Sequence, residues 1–242
     1  MNISVNSIFR CARLVLFETY NPAYPVSMSG TGFVVRFQER HFIVSARHVT
    51  TAFEQRQIRV QYRPDSSIFI PLKQAYFIEG EDTEDTDQYD LIVLSVDESM
   101  LQTSEFGDYP PYELLSIDGH TIFNPTLRFA IRGYPSHLRE IKYEDKAVAS
   151  HSLLIEGIYE GISRQTEVHK LQIKSANEVE SFDGMSGAPV FQVSDEDDIH
   201  SNVAFAGMLL RGTPESGLVY FLEHKKIIAV LWSIVNGDVT PA

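Results

Sequence analysis

The segment SFDGMSGAPVF, residues 181–191, surrounds one serine with small residues. Gly184 stands two positions before Ser186, and Gly187 and Ala188 follow it. A serine hydroxyl is a weak nucleophile, so it needs a neighbouring base and a group that orients that base. Glycine also lets backbone N–H groups turn toward a developing negative charge. The pattern is typical of a nucleophilic serine beside an oxyanion hole, and a tight turn between two strands is the alternative.

Candidate partners for Ser186 stand at the ends of two apolar runs. His48 follows HFIVSAR, where the chain leaves the core, and Asp90 directly precedes LIVLSV. Catalytic groups concentrate at such positions on a rigid scaffold. A histidine accepts the serine proton, and a carboxylate fixes the tautomer of that histidine. Each residue alone also fits a structural role, as a turn serine, a half-buried histidine or a loop carboxylate. Together they predict a His48–Asp90–Ser186 site.

The sequence predicts no metal centre and no cofactor. The other histidines form no H-x-x-x-H pair, and Cys11 is the only cysteine, which argues against a zinc site. Two acidic stretches, residues 81–90 and 194–198, lack the glycine and trailing glutamate of an EF-hand loop. We expect both to be solvated loops, with a calcium site as the alternative.

The composition predicts a folded, acidic protein. The chain has 242 residues, of which 43% are hydrophobic, and a net charge of -13. No run rich in Lys and Arg is present, which argues against a nucleic-acid partner and against binding to an anionic membrane. A single cysteine rules out a disulfide within the chain, as in reducing compartments. The N-terminal residues lack the pattern of a signal peptide, and no apolar run is long enough for a membrane span. We therefore expect a cytoplasmic protein.

Short runs rich in Val, Ile, Phe and Tyr dominate the chain. They recur over residues 14–96 and again over 127–223, separated by turn residues. This spacing favours a sandwich or barrel over alternating strands and helices. Residues 97–125 carry three prolines and few periodic positions, so they are expected to connect two β halves. Residues 224–237 have apolar side chains at helical spacing and end at Gly237, which predicts an amphipathic helix.

Four motifs resemble those of the trypsin-like (chymotrypsin-fold) serine peptidases, and more narrowly the bacterial, disulfide-free branch that includes the HtrA group. In the order of that family they are GTGF at 30–33, SARH at 45–48, DLIVL at 90–94 and GMSGAP at 184–189. The segment IRGYPS, residues 131–136, is also similar to a strand of the second barrel in that family. The resemblance covers residues 28–235.

The resemblance implies an all-β fold of two six-stranded antiparallel β-barrels with a C-terminal α-helix. Residues 1–97 would form the N-terminal barrel and carry His48 and Asp90. Residues 98–125 would connect the barrels. Residues 126–242 would form the C-terminal barrel, with the nucleophilic serine and the helix. The active site would lie in the cleft between the barrels.

The resemblance also implies a role for each matching residue. Ser186 would attack the scissile carbonyl, His48 would take the proton and later return it, and Asp90 would orient the imidazolium. The N–H groups of Gly184 and Ser186 would hold the oxyanion. These roles describe a serine endopeptidase that acts on a peptide or protein. A latent or non-catalytic peptide-binding module of the same fold is the alternative.

Several positions depart from the family pattern. Met185 stands where secreted members often have the aspartate that receives a freshly cut N-terminus, so zymogen cleavage is not expected. Activity would be constitutive or controlled by a partner protein or signal. Ser45 and Ala188 are mild replacements of a threonine and a glycine. Leu210 replaces a serine that in many members contacts the catalytic aspartate.

The alignment implies a set of substrate-binding residues. Glu180, six residues before Ser186, would lie near the base of the primary pocket, where a carboxylate favours Lys or Arg. A surface carboxylate is the alternative. The other residues placed at the cleft are Leu210, Arg211, Gly212 and Leu218. The backbone of Gly212 would be free to pair with an extended peptide.

Overall fold

A computed structural model describes most of the chain as β-structure. The described residues are 8–52, 54–64, 66–78, 87–115, 123, 127–142, 147–176, 179–193 and 203–241. They form fifteen β-strands and a C-terminal α-helix. The acidic stretch 194–198 and residues 81–86 of the other acidic stretch lie outside the described residues.

The first half of the chain forms a seven-stranded sheet. Its strands are β1 (Ala12–Asn21), β2 (Tyr24–Phe37), β3 (Arg40–Ser45), β4 (Ile58–Val60), β5 (Leu72–Phe77), β6 (Ile92–Val96) and β7 (Tyr112–Glu113). The antiparallel order is β4-β1-β2-β3-β6-β5, and β7 pairs with β2 in parallel. All five residues of β6 are buried, and four of them are apolar.

The second half forms a closed, six-stranded barrel. Its strands, with a separate hairpin, are β8 (Arg128–Gly133), β9 (Arg139–Lys142), β10 (Ala147–Ser150), β11 (Leu153–Ile162), β12 (Val168–Ile173), β13 (Pro189–Val193), β14 (Val203–Gly212) and β15 (Leu218–Glu223). The barrel closes in the order β11-β12-β15-β14-β13-β8, while β9 and β10 pair only with each other.

The predicted C-terminal helix is confirmed as α1 (His224–Asn236). Its apolar side chains, including Ile227 and Leu231, are buried. Gly237 ends the helix in the left-handed conformation, with φ +79°, that glycine adopts without strain. Trp232 packs edge-on against Phe37 of β2, with ring centroids 5.1 Å apart, so α1 contacts the first sheet as well as the barrel. Among the described helices, none is long and apolar enough to cross a membrane.

Aromatic side chains from the barrel complete the core of the first sheet. Phe191 of β13 lies 5.1 Å from the ring of Phe9 and 5.1 Å from that of Tyr112, and Phe205 of β14 lies 5.5 Å from Phe33. Each such pair contributes about 0.5–1.5 kcal/mol beyond area burial. The two halves therefore share one apolar cluster rather than touching only at the site.

Two details of the fold add to the sequence-based picture. The outer strands of the first sheet are joined, because Gln61 pairs with Phe69 and the N–H of Ile70 donates to Val60 O at 2.8 Å, which links β4 to the segment before β5. Strand β7 lies within the range expected to be a connector, because the ring of Tyr112 packs on Phe191 and Phe205 and so holds that segment beside β2.

Cys11 should be unreactive in the folded protein. Its side chain is buried, and burial raises the pKa of the thiol to about 12, so little thiolate is present at neutral pH. We expect no modification by iodoacetamide at pH 8, and modification at the urea concentrations that unfold the protein, measured by intact mass. Rapid modification without denaturant would contradict this placement of Cys11 in the core.

Candidate active site

His48 and Asp90 are brought together by two neighbouring strands. His48 follows the end of β3, and Asp90 precedes β6. These strands are antiparallel with Ser45 opposite Ile92, so the end of one lies beside the start of the other. The backbone N–H of His48 donates to Oδ1 of Asp90 at 2.8 Å, and Nδ1 of the ring lies 2.6 Å from Oδ2. The carboxylate therefore fixes both the backbone and the ring of the histidine.

The pKa of His48 is raised above its ordinary value. The hydrogen bond to Asp90 is the main cause, burial opposes it, and the charges of Asp90 and Asp87 add to the increase. The carboxylate faces Nδ1, so that nitrogen carries the proton in the neutral ring and Nε2 is the acceptor. The His48 side chain is half exposed, whereas that of Asp90 is 17% exposed. The ring can thus accept a proton at Nε2. The Asp90 carboxylate, which is largely shielded from solvent, then stabilises the positive charge of the imidazolium.

Two glycines shape the loop around Ser186. Gly184 has φ +86° and Gly187 has φ +87°, values that side chains other than glycine rarely adopt. A Cβ on Gly187 would also lie 2.0 Å from the carbonyl oxygen of Thr31. Within the loop, the N–H of Met185 donates to Phe182 O at 3.0 Å. Both glycines are therefore required by the backbone path.

The peptide before Gly184 is held by Ser136. The carbonyl oxygen of Asp183 accepts hydrogen bonds from the backbone N–H of Ser136 at 2.7 Å and from its hydroxyl at 3.0 Å. The N–H and C=O of a trans peptide point in opposite directions. The N–H of Gly184 is therefore turned away from Ser136, and it has no hydrogen-bond partner within the described residues.

The peptides around Met185 are fixed in the same way. The carbonyl oxygen of Gly184 accepts from the Thr31 hydroxyl at 2.8 Å and from the Arg139 guanidinium at 2.7 Å. The carbonyl oxygen of Met185 accepts from the N–H of Ala188 at 2.9 Å. The N–H of Ser186 then remains without an acceptor in the described part of the chain. Two free donors, two residues apart, are the arrangement that an oxyanion hole needs.

Thr31 of β2 joins the Ser186 loop to the first sheet. Its N–H donates to Ser186 O at 3.0 Å, and its hydroxyl donates to Gly184 O and accepts from the N–H of Tyr134 at 2.9 Å. Ser45 of β3 donates its hydroxyl to Thr31 O at 2.7 Å. Thr31 is fully buried, so these hydrogen bonds compete with no water. Sequence reasoning missed it, although it is the variable residue of the GTG motif.

A cleft of about 410 Å³ contains these groups. Its lining residues are Ser29, His48, Val49, Ser136, Phe182, Asp183, Gly184, Ser186, Leu209, Arg211 and Gly212. Ser29, His48 and Val49 belong to the first half of the chain and the others to the second half, so the cleft lies between the halves. His48 and Ser186 face this common space, and no hydrogen bond joins them. Such bonds commonly shorten only when substrate binds.

The predicted substrate-binding residues divide into two groups. Arg211 and Gly212 line the cleft as expected. Leu210 does not, because its side chain is buried in the core shared with the first sheet, and Leu209 lines the cleft in its place. A β-bulge between Leu209 and Arg211 sets which side chain faces which way, and no local pattern reveals it.

Glu180 and Leu218 are likewise outside the residues that line this cleft. Glu180 is exposed, as the surface alternative requires, and Leu218 pairs with Gln172 in the barrel wall. The placement gives no support to an acidic pocket base at Glu180. Among the described residues, no group of three or more His, Cys, Asp or Glu side chains is placed to hold a metal ion.

An ion pair crosses the rim of the cleft beside His48. Nε and one terminal nitrogen of Arg211 lie 3.0 Å and 2.7 Å from Oδ2 of Asp87. The guanidinium also lies over the ring of Tyr220, at 4.3 Å from its centroid. Asp87 belongs to the stretch expected to be a solvated loop, yet its side chain is only 19% exposed.

Comparisons with known proteins identify the fold. No protein-family model matches the chain, and no curated protein matches it. Among solved structures, the chain is similar to the crystal structure of an inactivated protease paralogue of the scabies mite, with a TM-score of 0.63 and 12% sequence identity. The alignment covers 96% of this chain and 95% of that chain. The predicted chymotrypsin-like fold class is confirmed, whereas the narrower resemblance to the HtrA branch stays a prediction.

Replacing Thr31 by valine should weaken both the fold and the site. Valine keeps the shape of the side chain but has no hydroxyl. The N–H of Tyr134 would lose its acceptor, and Gly184 O would keep only the donor from Arg139. We expect a loss of about 1–3 kcal/mol in the free energy of unfolding, measured by urea denaturation. Thr31→Ser keeps the hydroxyl and should lose less. Equal losses in the two variants would show that packing, and not the hydroxyl, makes the contribution.

Replacing Asp90 by asparagine should lower the pKa of His48. In the wild type the folded-state pKa is raised, so the pair stabilises the fold below the ordinary histidine pKa of about 6.5 and this contribution is lost as pH rises through the folded-state value. We therefore expect Asp90→Asn to destabilise the protein more at pH 6 than at pH 9. NMR titration of the His48 ring gives the pKa directly. An unchanged ring pKa would contradict the assigned pairing.

Proposed function

We propose that the protein is a serine endopeptidase that cleaves peptide bonds by acyl transfer to Ser186. The observation that carries the proposal is the pair of N–H groups at Gly184 and Ser186, which have no hydrogen-bond partner among the described residues and are oriented by the contacts to Asp183 O and Met185 O. They lie in the same cleft as the hydrogen-bonded His48–Asp90 pair. A serine with a purely structural role in a turn would not require two backbone N–H groups that lack acceptors.

The proposed reaction assigns one task to each group. The Ser186 hydroxyl oxygen attacks the scissile carbonyl carbon while Nε2 of His48 takes the hydroxyl proton. The N–H groups of Gly184 and Ser186 stabilise the resulting oxyanion. The C–N bond then breaks as the imidazolium of His48, supported by Asp90, gives its proton to the leaving amine. Water attacks the acyl-enzyme by the same route, releasing the acid and restoring the hydroxyl.

An extended peptide or protein segment is the proposed substrate. Gly212 ends strand β14 and lines the cleft, so its backbone is available to pair with an added strand. The Arg211–Asp87 pair borders the same space beside His48 and would meet substrate side chains there. No basic side-chain preference is proposed, because Glu180 is exposed and outside the lining of the cleft.

Control without zymogen cleavage is part of the proposal. Met185 is fully buried in the apolar core of the barrel. Its side chain is uncharged, so it cannot form an ion pair with a new N-terminus. Contacts from Thr31, Ser136 and Arg139 hold the loop instead. An enzyme with a preformed loop in a cytoplasmic setting would need restraint by a partner protein or signal. The bacterial origin and the cytoplasmic location remain predictions.

A peptide-binding module without catalysis is the second candidate. Two observations favour it: no hydrogen bond joins Ser186 to His48, and the similar scabies mite protein is described as inactivated. The same cleft and β14 edge would then bind an extended peptide without cutting it.

Labelling with a fluorophosphonate probe separates these candidates. We expect one adduct on the wild type by intact mass and none on Ser186→Ala, because only an activated serine reacts rapidly. His48→Ala should slow labelling by about 10⁴-fold or more. Ser99→Ala is the matched control, because it changes an exposed serine that does not line the cleft. It should label as the wild type does. A wild type that stays unlabelled yet binds peptides would overturn the peptidase assignment.

A further inference from the structure

A second cleft, of about 490 Å³, lies between the two halves and shares none of its lining residues with the cleft at Ser186. Its wall includes Arg10 and Tyr109 from the first half and Arg132, Ser150 and His151 from the second. This volume is in the range of small-molecule sites. Nothing in the proposed peptidase reaction uses it.

The lining of this cleft offers hydrogen-bond donors and no carboxylate. It contains no Asp or Glu among the described residues, although the chain as a whole carries a net charge of -13. Arg10 donates only to the backbone oxygen of Asp108, at 3.1 Å. The side chain of His151 is exposed at the rim. The local charge of this cleft is therefore opposite in sign to that of the protein as a whole, which favours binding of a negatively charged ligand here.

Arg132 is the most informative residue of the cleft. Its guanidinium makes no hydrogen bond and no ion pair with any described residue, and its Nε atom is buried without a partner. The hydroxyl of Ser150 is also buried and has no partner in the described part of the chain. Buried polar and charged groups are normally paired, because removing them from water without compensation is costly.

A third arginine increases the positive charge behind this wall. Arg13 is fully buried, and within the described residues its guanidinium donates only to backbone oxygens, including those of Ala12 at 2.9 Å and of Tyr109. Burial lowers the pKa of Arg13 to about 10. None of Arg10, Arg13 and Arg132 pairs with a carboxylate among the described residues, so no described carboxylate neutralises the positive charge around the cleft.

We propose that this cleft binds a small ligand through a phosphate group, with Arg132 as the principal contact and Ser150 as a second donor. A guanidinium matches two phosphate oxygens at once, and a phosphate accepts more hydrogen bonds and carries more negative charge than a single carboxylate. Several cationic groups around one cleft favour the more highly charged ligand. The site is separate from Ser186, so the proposal stands or falls independently of the peptidase assignment.

The test is direct binding to the full chain, by calorimetry and by thermal shift at constant ionic strength. The probes are inorganic phosphate, phenyl phosphate and, as a single-carboxylate comparator, benzoate. We expect both phosphates to bind and to raise the melting temperature in proportion to occupancy. Arg132→Gln should bind phosphate about tenfold more weakly, since one charge-assisted contact is lost. Ser150→Ala should weaken binding by a smaller factor.

The variants also have a matched control. Arg164→Gln removes the same charge from an exposed residue outside the cleft and should bind phosphate as the wild type does. Arg132→Gln should fold normally, because the Arg132 side chain makes no hydrogen bond with any described residue that the change would remove; circular dichroism checks this. Equal binding by Arg132→Gln and wild type, absence of phosphate binding up to about 10 mM, or tighter binding of benzoate than of either phosphate would each overturn the proposal.

Discussion

The buried hydroxyl of Thr31 is the interaction on which the arrangement of the site depends. It lies in the first sheet, yet it donates to Gly184 O and accepts from the N–H of Tyr134, both in the second half. The N–H of Thr31 adds a bond to Ser186 O. In a water-free setting each of these bonds is stronger than on the surface, and leaving one unmade is expensive. The two halves are therefore joined by directional bonds at the Ser186 loop, in addition to the non-directional packing of aromatic rings behind it.

The Ser186 loop is stabilised by hydrogen bonds to its carbonyl oxygens and not by an ion pair of its own. Arg139 donates to Gly184 O while Met185 is buried in the barrel core. Burial lowers the pKa of Arg139 to about 10, a shift that leaves the guanidinium charged at neutral pH. Fixing the carbonyl oxygens of Asp183 and Met185 has a further consequence, because it turns the opposite ends of those two peptides, the N–H groups of Gly184 and Ser186, away from these contacts. The loop itself therefore orients the two donors that the proposed reaction requires.

Fold and chemistry are separable in this molecule. An inactivated protease paralogue has the same fold at 12% identity, since barrels need only the right alternation and volume of apolar side chains. The proposed activity would depend instead on a few contacts: the carboxylate on His48, the hydroxyl of Thr31 and the two glycine conformations. The charge distribution follows a similar division. The chain as a whole is acidic, whereas the arginines around the second cleft pair with no carboxylate among the described residues.

Local patterns in the sequence determined the strands, the C-terminal helix with Gly237 at its end, and the positions of His48 and Asp90 at strand ends. Each of these depends on neighbours a few residues away, through side-chain alternation, helical spacing or glycine conformation. Tertiary structure alone decided that Leu209 and not Leu210 faces the cleft, that Asp87 meets Arg211 across 124 residues of sequence, and that the Arg132 side chain has no partner in the described part of the chain. These outcomes follow from a β-bulge, from the packing of the two halves and from long-range contacts between charged side chains. None of these features produces a periodic pattern in the sequence.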